Sequence, residues 1–209
     1  MATNTFVDLY LEETKLLADY TSIEFDLRSA GDFARLISEE WQKIPPNSSL
    51  FDPLMVATII RYARAFAQGV RVNIYDEGAS ILTEEQRSKH ELLMQIRNKY
   101  VAHSVNAFEE SQPVARYWVE KVHEEVITSI GCIHCRVVGL NQQEVADIID
   151  LTTVWLRYVQ QKRTEEETRL LPIVRKLPLE TLLQNTPRAV LADTSQPEKR
   201  RTTARRKRG

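Results

Sequence analysis

Val145, Ile148, Ile149, Thr152, Trp155, Leu156 and Val159 recur at steps of three and four, the rhythm of one face of an α-helix. Just ahead of them, Asn141 and Glu144 have the spacing of a capping box, in which each side chain bonds the other's backbone N–H. Leu140 and Val145 are placed to close a hydrophobic staple across that start. The sequence therefore predicts a long helix from Asn141 to about Thr168, with Pro172 and Pro178 limiting any further long helix.

The rest of the chain reads mainly the same way. Phe6, Leu9, Tyr10, Leu16, Leu17, Tyr20 and Ile23 have helical spacing, which predicts one or two helices over residues 5–28. Gly31 and Asp32 mark a break, with Asp32 as N-cap of a helix ending near Trp41. Pro45, Pro46, Asn47, Ser48 and Ser49 compose a loop. Asp52 then reads as an N-cap and Pro53 as the first helical residue, where a missing N–H costs nothing. Leu54, Ile59, Tyr62, Ala63, Phe66 and Val70 give that helix an apolar face, while Arg61, Arg64 and Arg71 share another. Gly69 inside it costs about 1 kcal/mol relative to Ala, which a close neighbouring helix would offset. Gly78 ends the element. Thr83 to Gln86 forms a second capping box, opening a helix striped by Leu92, Leu93, Ile96 and Tyr100. Val126 to Leu140 is rich in β-branched residues and broken by Gly131, which predicts a small antiparallel ribbon near 115–139. The fold class is a mainly α bundle carrying that ribbon. Residues 1–170 form the domain, 171–185 a short extension, and 186–209 a disordered basic tail.

Charge divides along the chain. Seven basic residues (Lys199, Arg200, Arg201, Arg205, Arg206, Lys207 and Arg208) close the sequence, out of 28 Lys and Arg against 29 Asp and Glu. Residues 1–198 thus hold 21 basic and 29 acidic residues, a net charge of −8. The body is not a broad phosphate-binding surface; the tail has the composition of one. No apolar run reaches the roughly 18 residues a membrane span needs. Two cysteines do not make a disulfide framework, and the first ten residues lack the order of a secretory signal, so a cytoplasmic setting is expected.

Arg97 and His103 are the residues with chemistry. Six positions apart on one helix, they stand about 9 Å apart along the axis and roughly 120° apart around it. On a wheel centred on Leu92, Leu93, Ile96 and Tyr100, His103 falls inside the apolar stripe, Arg97 on its flank and Asn98 nearly opposite. Ionisable groups at the margin of a buried seam are costly unless paired or used. A core histidine and an arginine reaching from the flank to solvent form the plain structural alternative.

The run Arg97-Asn98-Lys99-Tyr100-Val101-Ala102-His103-Ser104 resembles the signature of the HEPN superfamily: Arg, a polar residue, then His after four to six intervening residues. The helix of Arg61, Tyr62, Arg64 and Phe66, with Gly69 and Arg71, resembles that superfamily's abortive-infection AbiU-type branch. The resemblance covers residues 5–165. It implies a helical bundle that dimerises and brings two motif copies together, in many members as a metal-independent endoribonuclease acting as a toxin or in phage defence. His103 is then the general acid or base, Arg97 the group that stabilises phosphate charge, and Asn98 the residue that orients it. The implied partners are RNA, a second copy, and an antitoxin or defence protein; no metal or cofactor is implied. Tyr100, Ser104, Arg61, Arg64, Arg71 and the tail residues Lys199, Arg200, Arg201, Arg205 and Arg206 are candidate RNA contacts. A non-catalytic RNA, nucleotide or protein-binding module is the alternative of another class.

Other signals are weaker. Cys132-Ile133-His134-Cys135 lacks a second pair, and residues three apart on a strand face opposite ways, so zinc is not expected. His90 and His123 are expected at the surface, Trp41, Trp118 and Trp155 in the core, and Glu165, Glu166 and Glu167 on a solvated face. Ion pairs to the acidic body are an equal reading of Arg61, Arg64 and Arg71.

Overall fold

The computed structural model describes residues 9, 11–41, 43, 50–67, 71–98, 109–117, 127–136 and 140–183. These form helices α1 (Lys15–Glu40), α2 (Phe51–Arg64), α3 (Ile74–Gly78) and α4 (Glu84–Ile96), strands β1 (Glu109–Tyr117) and β2 (Ile127–Arg136), then helices α5 (Gln142–Val174) and α6 (Leu179–Leu183). The protein is mainly α-helical with one small antiparallel sheet, as its periodicity predicts.

Cross-helix contacts set the directions. Glu13 meets Arg169, Glu24 meets Arg163 and Gly31 meets Thr152, so α1 and α5 run antiparallel. Trp41 packs on Phe51 while Asp26 bonds Arg61, which makes α2 antiparallel to α1. Gln86 bonds Asp150 and Lys89 bonds Asp147, so α4 is antiparallel to α5. The core between them takes Ile23, Leu27, Ala30, Ala34 and Ile37 from α1, and Met55, Ile59 and Tyr62 from α2. Leu93 joins from α4, and Val145, Ile148, Leu151, Trp155 and Val159 from α5. Each fully buried aliphatic side chain contributes about 1.5–3 kcal/mol relative to exposure. Within α5 the deepest positions include Leu151, whereas Ile149 and Leu156 are half-buried.

Two glycines let helices pack closely, and one of them was expected to break a helix. α1 runs unbroken through Gly31 and Asp32, where a break was expected. Gly31 is buried, and a Cβ there would stand 3.0 Å from Thr152 Oγ1 on α5, so glycine lets the two long helices touch. Asp32 bonds Arg35 at 2.6 Å on the exposed face instead of capping a helix. Gly78 does end α3, but a Cβ on it would meet the Tyr158 ring at 2.8 Å and Trp155 at 3.1 Å.

Several boundaries also differ. α2 starts at Phe51, with Leu50 rather than Asp52 at the N-cap; Asp52 sits in the first turn, where the helix dipole favours a carboxylate. α2 stops at Arg64, and Gly69 and Val70 lie outside the described residues. α5 continues through Pro172 to Val174, past the expected end near Thr168. Pro172 removes the N–H that would bond the Thr168 carbonyl and crowds that carbonyl, a cost taken in the last turns of the helix. Both capping boxes form, Thr83 with Gln86 and Asn141 with Glu144.

The ribbon pairs β1 with β2 from Glu109 opposite Arg136 to Tyr117 opposite Ile127, with an irregularity at Arg116/Tyr117. It therefore begins before Pro113, earlier than expected. Gly131 does not break the ribbon: it lies inside β2 opposite Val114, with open space around it. No described helix is long and apolar enough to cross a membrane.

Candidate functional site

The Thr83 capping box fixes where α4 begins, and packing against the core decides which of its residues face inward. His90 and Leu93 are buried, Met94 and Ile96 are half-buried, and Leu92 is 44% exposed. The inward stripe is thus centred on His90 and Leu93: Leu93 and Ile96 keep their expected side, whereas Leu92 turns outward. That rotation decides the setting of Arg97.

Arg97 follows the last residue of α4, in a wider π-type turn it shares with Asn98. Both side chains are exposed, so Arg97 pays no desolvation cost and does not lie at the margin of a buried seam. Arg97 Nη1 donates to Asn98 Oδ1 at 2.9 Å. A guanidinium has five N–H donors, and this bond uses one. Among the described residues no carboxylate pairs with Arg97, which leaves a charged planar fork open to solvent. Tyr100, His103 and Ser104 lie outside the described residues, as do Lys199, Arg200, Arg201, Arg205 and Arg206 in the tail.

The other three arginines converge elsewhere. Arg61 Nη1 reaches Asp26 Oδ1 at 2.9 Å, and Arg64 Nε and Arg71 Nη1 reach Asp26 Oδ2 at 3.3 and 3.0 Å. Arg71 also donates to Ser22 Oγ at 3.0 Å and to the backbone carbonyl of Arg64. The Asp26 side chain is only 2% exposed. All three arginines have ion pairs to the acidic body, the plainer of their two sequence readings. Arg71 is not on the helix of Arg61 and Arg64, because α2 ends before it.

His90 is the largest correction. Expected at the surface, it is 4% exposed and walled by aromatic rings. It stacks on Tyr75 with centroids 4.5 Å apart and planes within 10°, and meets the edge of Phe66 at 4.6 Å. Its Nδ1 and the Tyr62 hydroxyl share a hydrogen bond of 2.8 Å. Burial pushes the imidazole down to about 4, because the charged form would lose its water. His90 is therefore a neutral core residue near pH 7. Its spacing from Leu93, three residues on, was the available signal; its hydroxyl partner on α2 was not visible in the sequence.

Glu166 also departs from its expected solvated place. It is buried and gripped by Arg169 at 2.5 and 2.9 Å, while Glu165 and Glu167 are exposed. Trp155 is fully buried and Trp41 half-buried; Trp118 and His123 lie outside the described residues. Cys132 is a free, exposed thiol opposite Pro113. Among the described residues no cluster of His, Cys, Asp and Glu has the geometry of a metal site.

Comparison of the chain with models of known protein families, with curated proteins and with solved structures finds no match.

Proposed function

We propose that this protein is a dimeric, metal-independent endoribonuclease of the toxin or phage-defence type. The observation that carries the reading is Arg97, an exposed guanidinium at the end of α4, with no carboxylate partner among the described residues and steadied by Asn98. An arginine without a carboxylate partner among the described residues is available to a phosphate, and Asn98 limits the rotamers it must give up on binding.

In this reading Arg97 neutralises the charge that builds on the non-bridging oxygens as the ribose 2′-OH attacks phosphorus. His103 of one protomer takes the 2′-OH proton. The bond from phosphorus to the 5′ oxygen breaks, and His103 of the second protomer protonates that oxygen. An imidazole titrates near neutral pH and can serve either role. The products are a 2′,3′-cyclic phosphate and a 5′-hydroxyl. Two copies related by a twofold axis supply both imidazoles, which one helix does not do readily. The basic tail would draw RNA towards an acidic body in a salt-dependent way, and an antitoxin or defence partner would restrain the activity.

Expression in a bacterial host tests this. Wild type is expected to arrest growth, and Arg97→Ala or His103→Ala to relieve the arrest while the protein accumulates equally. Equal tolerance of all three would instead favour a non-catalytic RNA- or protein-binding module.

A further inference from the structure

Charges held away from water are normally matched, since each uncompensated one is costly. Glu166 is matched by Arg169, and Glu24 and Glu167 by Arg28 and Arg163. Asp26 breaks the pattern by drawing three guanidiniums to one carboxylate. Asp19 also feels Arg71, but it is shared with Lys15 on the same helix. Among the described residues, three guanidiniums thus meet one buried carboxylate, with Asp19 answering Arg71 only at longer range. The C-terminal end of α2, where Arg61 and Arg64 sit, offsets roughly half a charge at most.

The donors are in excess as well. Arg61, Arg64 and Arg71 make five hydrogen bonds to Asp26, Ser22 and the Arg64 carbonyl. Together they carry about fifteen N–H groups, so most remain free. Arg64 is the outermost, with its side chain 57% exposed, and Arg71 the innermost at 23%. The Phe25 ring lies 5.5 Å beneath the Arg61 guanidinium and steadies its plane. Asp26 lies at the floor and pulls the three long side chains together, so the entropy of ordering them is spent before any ligand arrives.

We propose that Arg61, Arg64 and Arg71, held by Asp26 where α1 crosses α2, bind a phosphate group. A phosphate dianion supplies negative charge and three acceptor oxygens for planar forks. The group is either free phosphate or the terminal phosphate of a nucleotide or RNA end. The site is separate in kind from Arg97 and does not depend on the nuclease reading.

Calorimetric titration of the full chain with inorganic phosphate tests it, at about pH 7.5 where the dianion prevails and with sodium chloride holding ionic strength constant. Wild type and Arg97→Ala should show the same saturable binding. Arg64→Gln should bind at least about tenfold more weakly, the loss expected for a charge-assisted contact. Arg61→Gln is the second variant, with circular dichroism as the check that each is folded. Parallel titrations with adenosine monophosphate against adenosine, and with 5′-phosphorylated against 5′-hydroxyl oligoribonucleotides, identify the source of the phosphate. Loss of binding in either folded arginine variant supports the site. No saturable phosphate binding by wild type, or wild-type affinity in both variants, overturns it.

Discussion

His90 shows how far one side chain's environment sets its chemistry. Rings of Tyr62, Phe66, Tyr75 and Trp155 surround it, and burial lowers its proton affinity so that it titrates at about 4. In the unfolded chain a histidine titrates near 6.5. Between these values the unfolded state binds the extra proton, so His90 favours folding fully above about pH 6.5 and less as pH falls towards 4. The difference amounts to about 3 kcal/mol. Urea denaturation at intervals from pH 7 to pH 4 should therefore show a stability loss that is smaller by that amount in His90→Phe. Identical pH slopes for the two proteins would mean that His90 takes up its proton as readily in the folded state as in the unfolded chain. The sequence supplied the histidine and the buried Leu93 beside it, but not the ring cage, whose members come from the end of α2, α3 and α5. Asp26 was hidden for the same reason: its partners Arg61, Arg64 and Arg71 are distant along the chain.

At the scale of elements, what could be read was what is local. A capping box needs four consecutive residues, and both boxes formed where the sequence placed them. Asn141 accepts from Glu144 N–H at 3.0 Å and Glu144 Oε2 accepts from Asn141 N–H at 2.7 Å, fixing the start of a 33-residue helix. Asn141→Ala should cost about 1 kcal/mol, measured as a shift in the denaturation midpoint with an unchanged slope. A change under a few tenths would show that the packing of α5 against α1 alone determines where α5 begins. The features that could not be read were those that depend on a second element. Gly31 looks like a helix breaker until Thr152 is seen against it, and Gly131 looks like a turn until β1 is seen opposite. Leu92 and Leu93 both fit a stripe by spacing, yet only Leu93 is buried, with His90 in place of Leu92.

For the whole molecule, antiparallel helices present Arg97, without a carboxylate partner among the described residues, at an exposed helix end and gather three other arginines over a buried carboxylate. Along the sequence the charge divides between an acidic stretch over residues 1–198 and a basic one from Lys199 to Arg208. The proposed cleavage of RNA by Arg97 and His103 is tested most directly on purified protein. RNA labelled at its 5′ end is incubated with wild type and with Arg97→Ala in the presence of a metal chelator, and the new termini are identified. Wild type should leave 2′,3′-cyclic phosphates at a rate the chelator does not change, and Arg97→Ala should be slower by a factor of about 100 or more. Equal rates in the two proteins, or products ending in an uncyclised 3′-hydroxyl, would contradict the account.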